Sequence, residues 1–336
     1  MLGLDLAFIW AGIIAFAVLT YVVMDGFDLG IGILRFFRHE ETHRKVMMNS
    51  VAPVWDGNET WLVLGGGGLL AVFPLAYSVI LPALYLPIIL MLLSLIFRGV
   101  AFEFRWRTER WRGLWDYGFS IGSGLAAFCQ GLVLGALVGG IEVTGREFSG
   151  GTWDFLTPFS IVTGLAVVIG YTLLGATWLV YKTTGDLQAW ARTQARRAGI
   201  GTVAMIVIVS VWTPTINPLY AERWFTWPTA IFSVLVPLLV AGCAYLLWRS
   251  LKGGTSDLVP FLASLGLFVL SFAGIGISFY PYIVPGALTI AEAAAPPESL
   301  LFLLLGALVL LPIILIYTAY SYWVFRGKVD PEEGYH

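Results

Sequence analysis

Nine apolar stretches, each about as long as the ~20 residues that cross a ~30 Å hydrocarbon core, run through this 336-residue chain with only short connections between them. They fall near residues 6–34, 55–78, 79–98, 116–140, 158–181, 199–220, 226–249, 258–284 and 299–325, the second and third joined by a very short turn around Tyr77-Ser78. A chain that is 58% hydrophobic and only 12% charged is not a soluble globular domain. The expected fold is all-α: a polytopic membrane protein of about nine transmembrane helices, forming a single integral membrane domain over residues 1–336 with no separate soluble domain. No Lys or Arg precedes Arg35, so the basic n-region of a cleaved signal peptide is missing and the first span is expected to be retained.

The cations alternate from loop to loop. Of the 19 Lys and Arg residues, 17 fall in the loops after the first, third, fifth, seventh and ninth spans, and only Arg146 and Arg223 fall on the other side. The positive-inside rule then places the N-terminus outside and the C-terminus in the cytoplasm. The basic loop "RFFRHEETHRKVMM" is amphipathic enough to lie on the cytoplasmic surface, where its arginines can meet anionic lipid headgroups. The outer loops, rich in Gly, Pro and Trp, read as turns and interfacial anchors, with Trp153, Trp224 and Trp227 suited to an interface belt. Nothing in the charge pattern points to a nucleic-acid partner.

Metal-ligating residues are scarce. Cys129 and Cys243 lie singly in apolar stretches and read as small packing residues. His39 and His43 share a helical spacing but sit in the basic loop and read as a solvated pair; His336 stands at the C-terminus. With no histidine inside a span, the chain is expected to hold no haem and no metal of its own.

Acidic residues inside the apolar runs need a reason, because a carboxylate at membrane depth costs several kcal/mol unless protonated, hydrated or paired. In "TYVVMDGFDLGIGIL", Asp25 and Asp28 share one helix face, Asp25 roughly 13 Å from the end of the span at ~1.5 Å per residue. In "SVAPVWDGNETWLVLGGGG", Asp56, Asn58 and Glu59 open the second span between Trp55 and Trp61; Arg98 ends the third. We read Asp25, Asp28 and Asp56, with Asn58, Glu59 and Arg98, as the inner mouth of a proton path lined by Trp55 and Trp61. Asp116 and Asp257 are read instead as salt-bridge partners or helix-start acids. The run Gly65 to Gly68 lacks the Lys and Ser/Thr of a phosphate loop and reads as room for a neighbouring helix or a flat ligand.

The segments "VMDGFDLGIGIL", "NSVAPVWDGNETWLV", "LIFRGVAFEFR", "LWDYGFSIGS" and "FYPYIVPGALTI", in order along the chain, resemble subunit II of the cytochrome bd-type quinol oxidases, with wording closest to the cyanide-insensitive branch. The resemblance implies a nine-span subunit beside a homologous subunit I that carries two b-type haems and one d-type haem, with a small single-helix subunit and quinone as further partners. It also implies quinol oxidation coupled to reduction of oxygen to water in the bacterial inner membrane. Asp25, Asp28 and Asp56 match acidic residues of the family's proposed proton path, Trp61 matches an aromatic near a proposed oxygen channel, and some members carry an amide where this chain has Glu59. Without the resemblance, the buried carboxylates would also suit a proton-coupled secondary transporter or, as a third reading, a scaffold in which they are dispensable.

Overall fold

The computed structural model describes residues 5–108 and 110–330, and is almost entirely helical. In chain order the helices are α1 (Leu6–Phe36), α2 (Glu41–Asn49), α3 (Trp55–Val72), α4 (Pro74–Ala83), α5 (Tyr85–Arg107), α6 (Arg112–Gly139), α7 (Pro158–Lys182), α8 (Gly185–Ile216), α9 (Pro218–Phe225), α10 (Ala230–Leu251), α11 (Val259–Phe279), α12 (Ile290–Ala293) and α13 (Pro297–Val324). Two small antiparallel hairpins interrupt them: β1 (Val143–Thr144) with β2 (Glu147–Phe148), and β3 (Tyr282–Val284) with β4 (Leu288–Thr289).

Among the described residues, eight helices are long and apolar enough to cross a membrane: α1, α5, α6, α7, α8, α10, α11 and α13. The polar start of α3 keeps it out of that set, yet its 18 residues reach about 27 Å at 1.5 Å per residue and it packs along α1, so we count it as the ninth.

Several boundaries differ from the sequence reading. Tyr77 and Ser78 lie inside α4 rather than in a turn; the chain breaks instead at Phe73 and at Leu84. Pro74 explains the first break, since a proline has no N–H to give a preceding turn and suits the first position of a new helix. Helix α8 begins at Gly185, well before the predicted span at 199, because hydropathy marks where lipid begins and not where helical hydrogen bonding begins. The predicted span 258–284 overruns α11, which ends at Phe279 before the β3–β4 hairpin.

The centre of the bundle is the second half of α1, wrapped by α3, α6 and α7. Glycine makes the approach to α7 possible: a Cβ on Gly30 would lie 1.9 Å from the Tyr171 carbonyl oxygen, and one on Gly175 would lie 2.5 Å from the Gly30 carbonyl carbon. The Gly65 to Gly68 run does less within this chain. Gly65 and Gly68 face Val18 and Ile14 of α1, whereas nothing lies within 4 Å of a Cβ on Gly66 or Gly67.

Two apolar clusters stack along the bundle. One, near the end that carries Arg35, Arg105 and Lys182 (the basic end), includes Phe27 stacked on Trp178 with centroids 4.3 Å apart. The other, at the opposite end, joins Trp10, Phe73, Leu84 and Leu300, with Trp10 Nε1 donating to the Leu300 carbonyl at 2.9 Å. Helix α2 is amphipathic as expected; its Val46, Met47 and Met48 are buried against the basic-end cluster.

Candidate functional site

Four helices bring a buried polar cluster together. The spacing of Asp25 and Asp28 on α1 turns both carboxylates toward α3 and α5, and both are fully buried. Arg98, equally buried on α5, reaches back to them: its Nη1 donates to Asp25 Oδ1 at 3.1 Å, and its Nη2 stands 4.0 Å from Asp28 Oδ2. The same Nη1 makes a short hydrogen bond to Glu59 of α3, whose side chain is 24% exposed and forms the cluster's outer edge. Asn58 Nδ2 donates to Asp28 Oδ2 at 2.7 Å, and Asn58 Oδ1 accepts from the Tyr322 hydroxyl of α13 at 2.9 Å. Trp55 covers the guanidinium of Arg98 at 5.9 Å and lies 5.4 Å from Phe102.

A second strand of polar side chains leaves the cluster toward the middle of the bundle. Tyr21, one turn before Asp25, faces its carboxylate. Gln130 of α6 donates to the Tyr21 oxygen at 2.7 Å and accepts from the Tyr171 hydroxyl of α7 at 2.6 Å. Tyr21, Gln130, Tyr171 and Tyr322 were not singled out from the sequence. The available signal was a hydroxyl or amide inside an otherwise apolar run, with Tyr21 four residues from Asp25 on one helix face.

Asp25, Asp28, Asn58, Glu59 and Arg98 are therefore in one constellation. Asp56 is not: it lies exposed in the first turn of α3, outside the buried group. Trp61 is buried to 1% exposure, packs with Ala17 and Tyr21 and meets Phe16 edge-on at 5.9 Å, so it forms the wall behind Tyr21.

Asp116 is the fifth residue of α6 and no helix-start cap. It is gripped by arginines from three elements: Arg35 by a short ion pair and a backbone bond of 3.1 Å, Arg105 Nε at 2.6 Å, and Arg44 at 3.6 Å. Asp257, just before α11, binds Arg192, Gln188 at 2.8 Å and Lys328 Nζ at 2.8 Å, which ties the segment after α13 to the basic end. Partial burial acts to raise the pKa of Asp257, but hydrogen bonds from Lys328 and Gln188 and the charges of Lys328 and Arg192 outweigh it and hold the carboxyl below its ordinary value.

His43 Nδ1 is engaged by Arg38 and Glu40, and Arg44 approaches His39; His336 lies outside the described residues. Among the described residues no group of three His, Cys, Asp or Glu side chains could hold a metal ion. The two cysteines are unpaired.

Comparison with known proteins gives the cluster its context. The sequence profile of the family cytochrome bd terminal oxidase subunit II matches residues 6–325. The chain is 31% identical to the cytochrome bd-I ubiquinol oxidase subunit 2 of Escherichia coli K12, covering 98% of this chain and 96% of that protein. It is 30% identical to the cytochrome bd ubiquinol oxidase subunit 2 of Bacillus subtilis, covering 97% of each. The fold is shared with a chain of the bd oxidase from Geobacillus thermodenitrificans at a TM-score of 0.77 and 18% identity, over 96% of this chain and 99% of that one. This multi-pass membrane chain belongs to the cytochrome bd terminal oxidase subunit II family.

Proposed function

We propose that this chain is the non-haem subunit of a quinol:oxygen oxidoreductase of the bd type, and that its own chemical contribution is to take up protons from the cytoplasmic side. The observation that carries this reading is the burial of Asp25, Asp28 and Arg98 behind the half-open Glu59. Such a group is expensive in a membrane helix and suits proton handling better than it suits stability, since buried ion pairs stabilise little compared with apolar packing. The distribution of cations supports placing the basic end, and with it Glu59 and Asp56, at the cytoplasm. In this reading Asp56 is an exposed acid at the approach to Glu59, and Glu59 is the point of exchange with water. Arg98 holds the carboxylates in register, and Asp25 and Asp28 are the inner acids.

The haems, two b-type and one d-type by family resemblance, are assigned to the partner subunit I, because no membrane-spanning helix of this chain carries a histidine. An oxygen route past Trp61, a small single-helix subunit and quinone follow from the resemblance, and lipid contact from the basic loop that holds Arg38 and Arg44. Purification of the tagged chain in mild detergent tests the assignment. A dithionite-reduced spectrum with a long-wavelength d-type band from a co-purifying partner is the expected result, and a colourless protein purifying alone would contradict it.

A further inference from the structure

Three carboxylates converge on one guanidinium. The groups facing this site are Tyr21, Asp25 and Asp28 from α1, Asn58 and Glu59 from α3, Arg98 from α5 and Tyr322 from α13; Gln130 and Tyr171 stand behind Tyr21, and Asp56 lies outside. Arg98 is the one cation among these described residues. Arg35, farther along α1, is already taken up by Asp116. With Asp25 and Asp28 fully enclosed, no cation from a neighbouring chain can touch them. A buried carboxylate without a counter-charge neutralises by binding a proton, and carboxylates sharing one site do not all ionise together.

The geometry selects which one. Arg98 Nη1 serves both Asp25 and Glu59, whereas Nη2 remains 4.0 Å from Asp28, beyond hydrogen-bond range. The hydrogen bond Asp28 receives comes from a neutral amide, Asn58, and Tyr322 fixes that amide so that its NH2 faces Asp28 Oδ2. Asp25 Oδ2 and Asp28 Oδ1 are both buried with no partner, which is costly for a carboxylate oxygen, but the other oxygen of Asp25 is served by the guanidinium and that of Asp28 only by the amide. We propose that Asp28 is a resident carboxylic acid, protonated on Oδ1 at rest, beside an Arg98 shared by the ionised Asp25 and Glu59. The Asn58–Tyr322 pair positions it. The assignment deepens the proton-uptake reading, on which its functional meaning rests.

Infrared spectra of the purified oxidase complex test it without relying on turnover. The wild-type complex at neutral pH is expected to show a C=O stretch of a protonated carboxylic acid, downshifted in D2O, that is lost in Asp28→Asn and kept in Asp25→Asn and Glu59→Gln. A band that survives in Asp28→Asn, or that disappears in all three variants, overturns the assignment. If Asp28→Asn does not assemble, Asp28→Glu keeps the acid but moves it by one methylene and must shift the band; an unmoved band overturns the assignment equally. Quinol oxidase turnover of Asp25→Asn, recorded beside these spectra, bears on the uptake reading alone, so the two can fail separately.

Discussion

Arg98 and Asp25 meet at 3.1 Å across 73 residues of sequence, binding α5 to the centre of α1 by a fully buried ion pair. Everything proposed for the polar cluster depends on this contact. The guanidinium supplies the counter-charge at that depth, and its several donors allow it to serve Asp25 and Glu59 together.

Arg98→Leu is therefore expected to leave the buried Asp25 without its counter-charge and to cost about 3–5 kcal/mol, the usual penalty for removing one partner of a buried pair. The yield of haem-bearing complex and its melting temperature measure this. Arg98→Lys should recover part of the yield, because a lysine restores charge but not the forked geometry.

Helix α1 approaches α7 through Gly30, where an added methyl would collide with backbone atoms of Tyr171. Gly30→Ala is expected to lower assembled complex as an overpacking substitution of at least about 1–3 kcal/mol. Gly12→Ala, on the same helix with open space around its Cβ, should be neutral or slightly stabilising through helix propensity. Equal melting temperatures for the two variants would contradict the packing assigned to α1 and α7.

The segment after α13 is held by Lys328 on Asp257 and by the Val329 N–H on the Lys182 carbonyl at 2.8 Å. Since the pKa of Asp257 is depressed in the fold, its contribution is present above the ordinary carboxylate value near 3.9 and is lost as pH falls through the lower folded value. Hydrogen exchange over residues 322–330 should thus stay slow through neutral and mildly acid pH and rise only in strong acid. Asp257→Asn should make the same segment exchange faster at neutral pH.

Tyr322→Phe removes the hydroxyl that orients Asn58. A loss of about 0.5–1.5 kcal/mol is expected from the missing hydrogen bond, read as a small fall in melting temperature with haem content unchanged.

Much of the cluster was legible in the sequence because charge inside an apolar run is so costly that it must be partnered. Asp25, Asp28, Asn58, Glu59 and Arg98 all converge as that argument requires. Asp56 does not join them, and helix geometry supplies the reason. At about 100° per residue, Asp56 lies some 200° from Asn58, so the turn that buries Asn58 against α1 carries Asp56 outward. Of the two roles the sequence offers Asp116, salt-bridge partner and helix-start acid, the structure shows the first; that its three arginines come from α1, α2 and α5 is a convergence that no local pattern encodes. Gln130 and Tyr322 were hidden for the same reason: each is a single polar group in an apolar helix, and its meaning comes from a partner on another helix. The conspicuous run at 65–68 is half exposed, whereas the scattered glycines of "DGFDLGIG" are the tightly packed ones: Gly30 lies against the backbone of α7, and Gly26 and Gly32 against the side chains of Tyr171 and Ser123.

The central claim is that the buried acids of this chain carry protons to the oxidase. Its most direct test is quinol oxidase turnover of the complex bearing Asp25→Asn, at haem content equal to wild type. The account predicts a fall of about a hundredfold, the lower end of what a positioned acid–base group contributes; wild-type turnover in a fully assembled Asp25→Asn complex would contradict it.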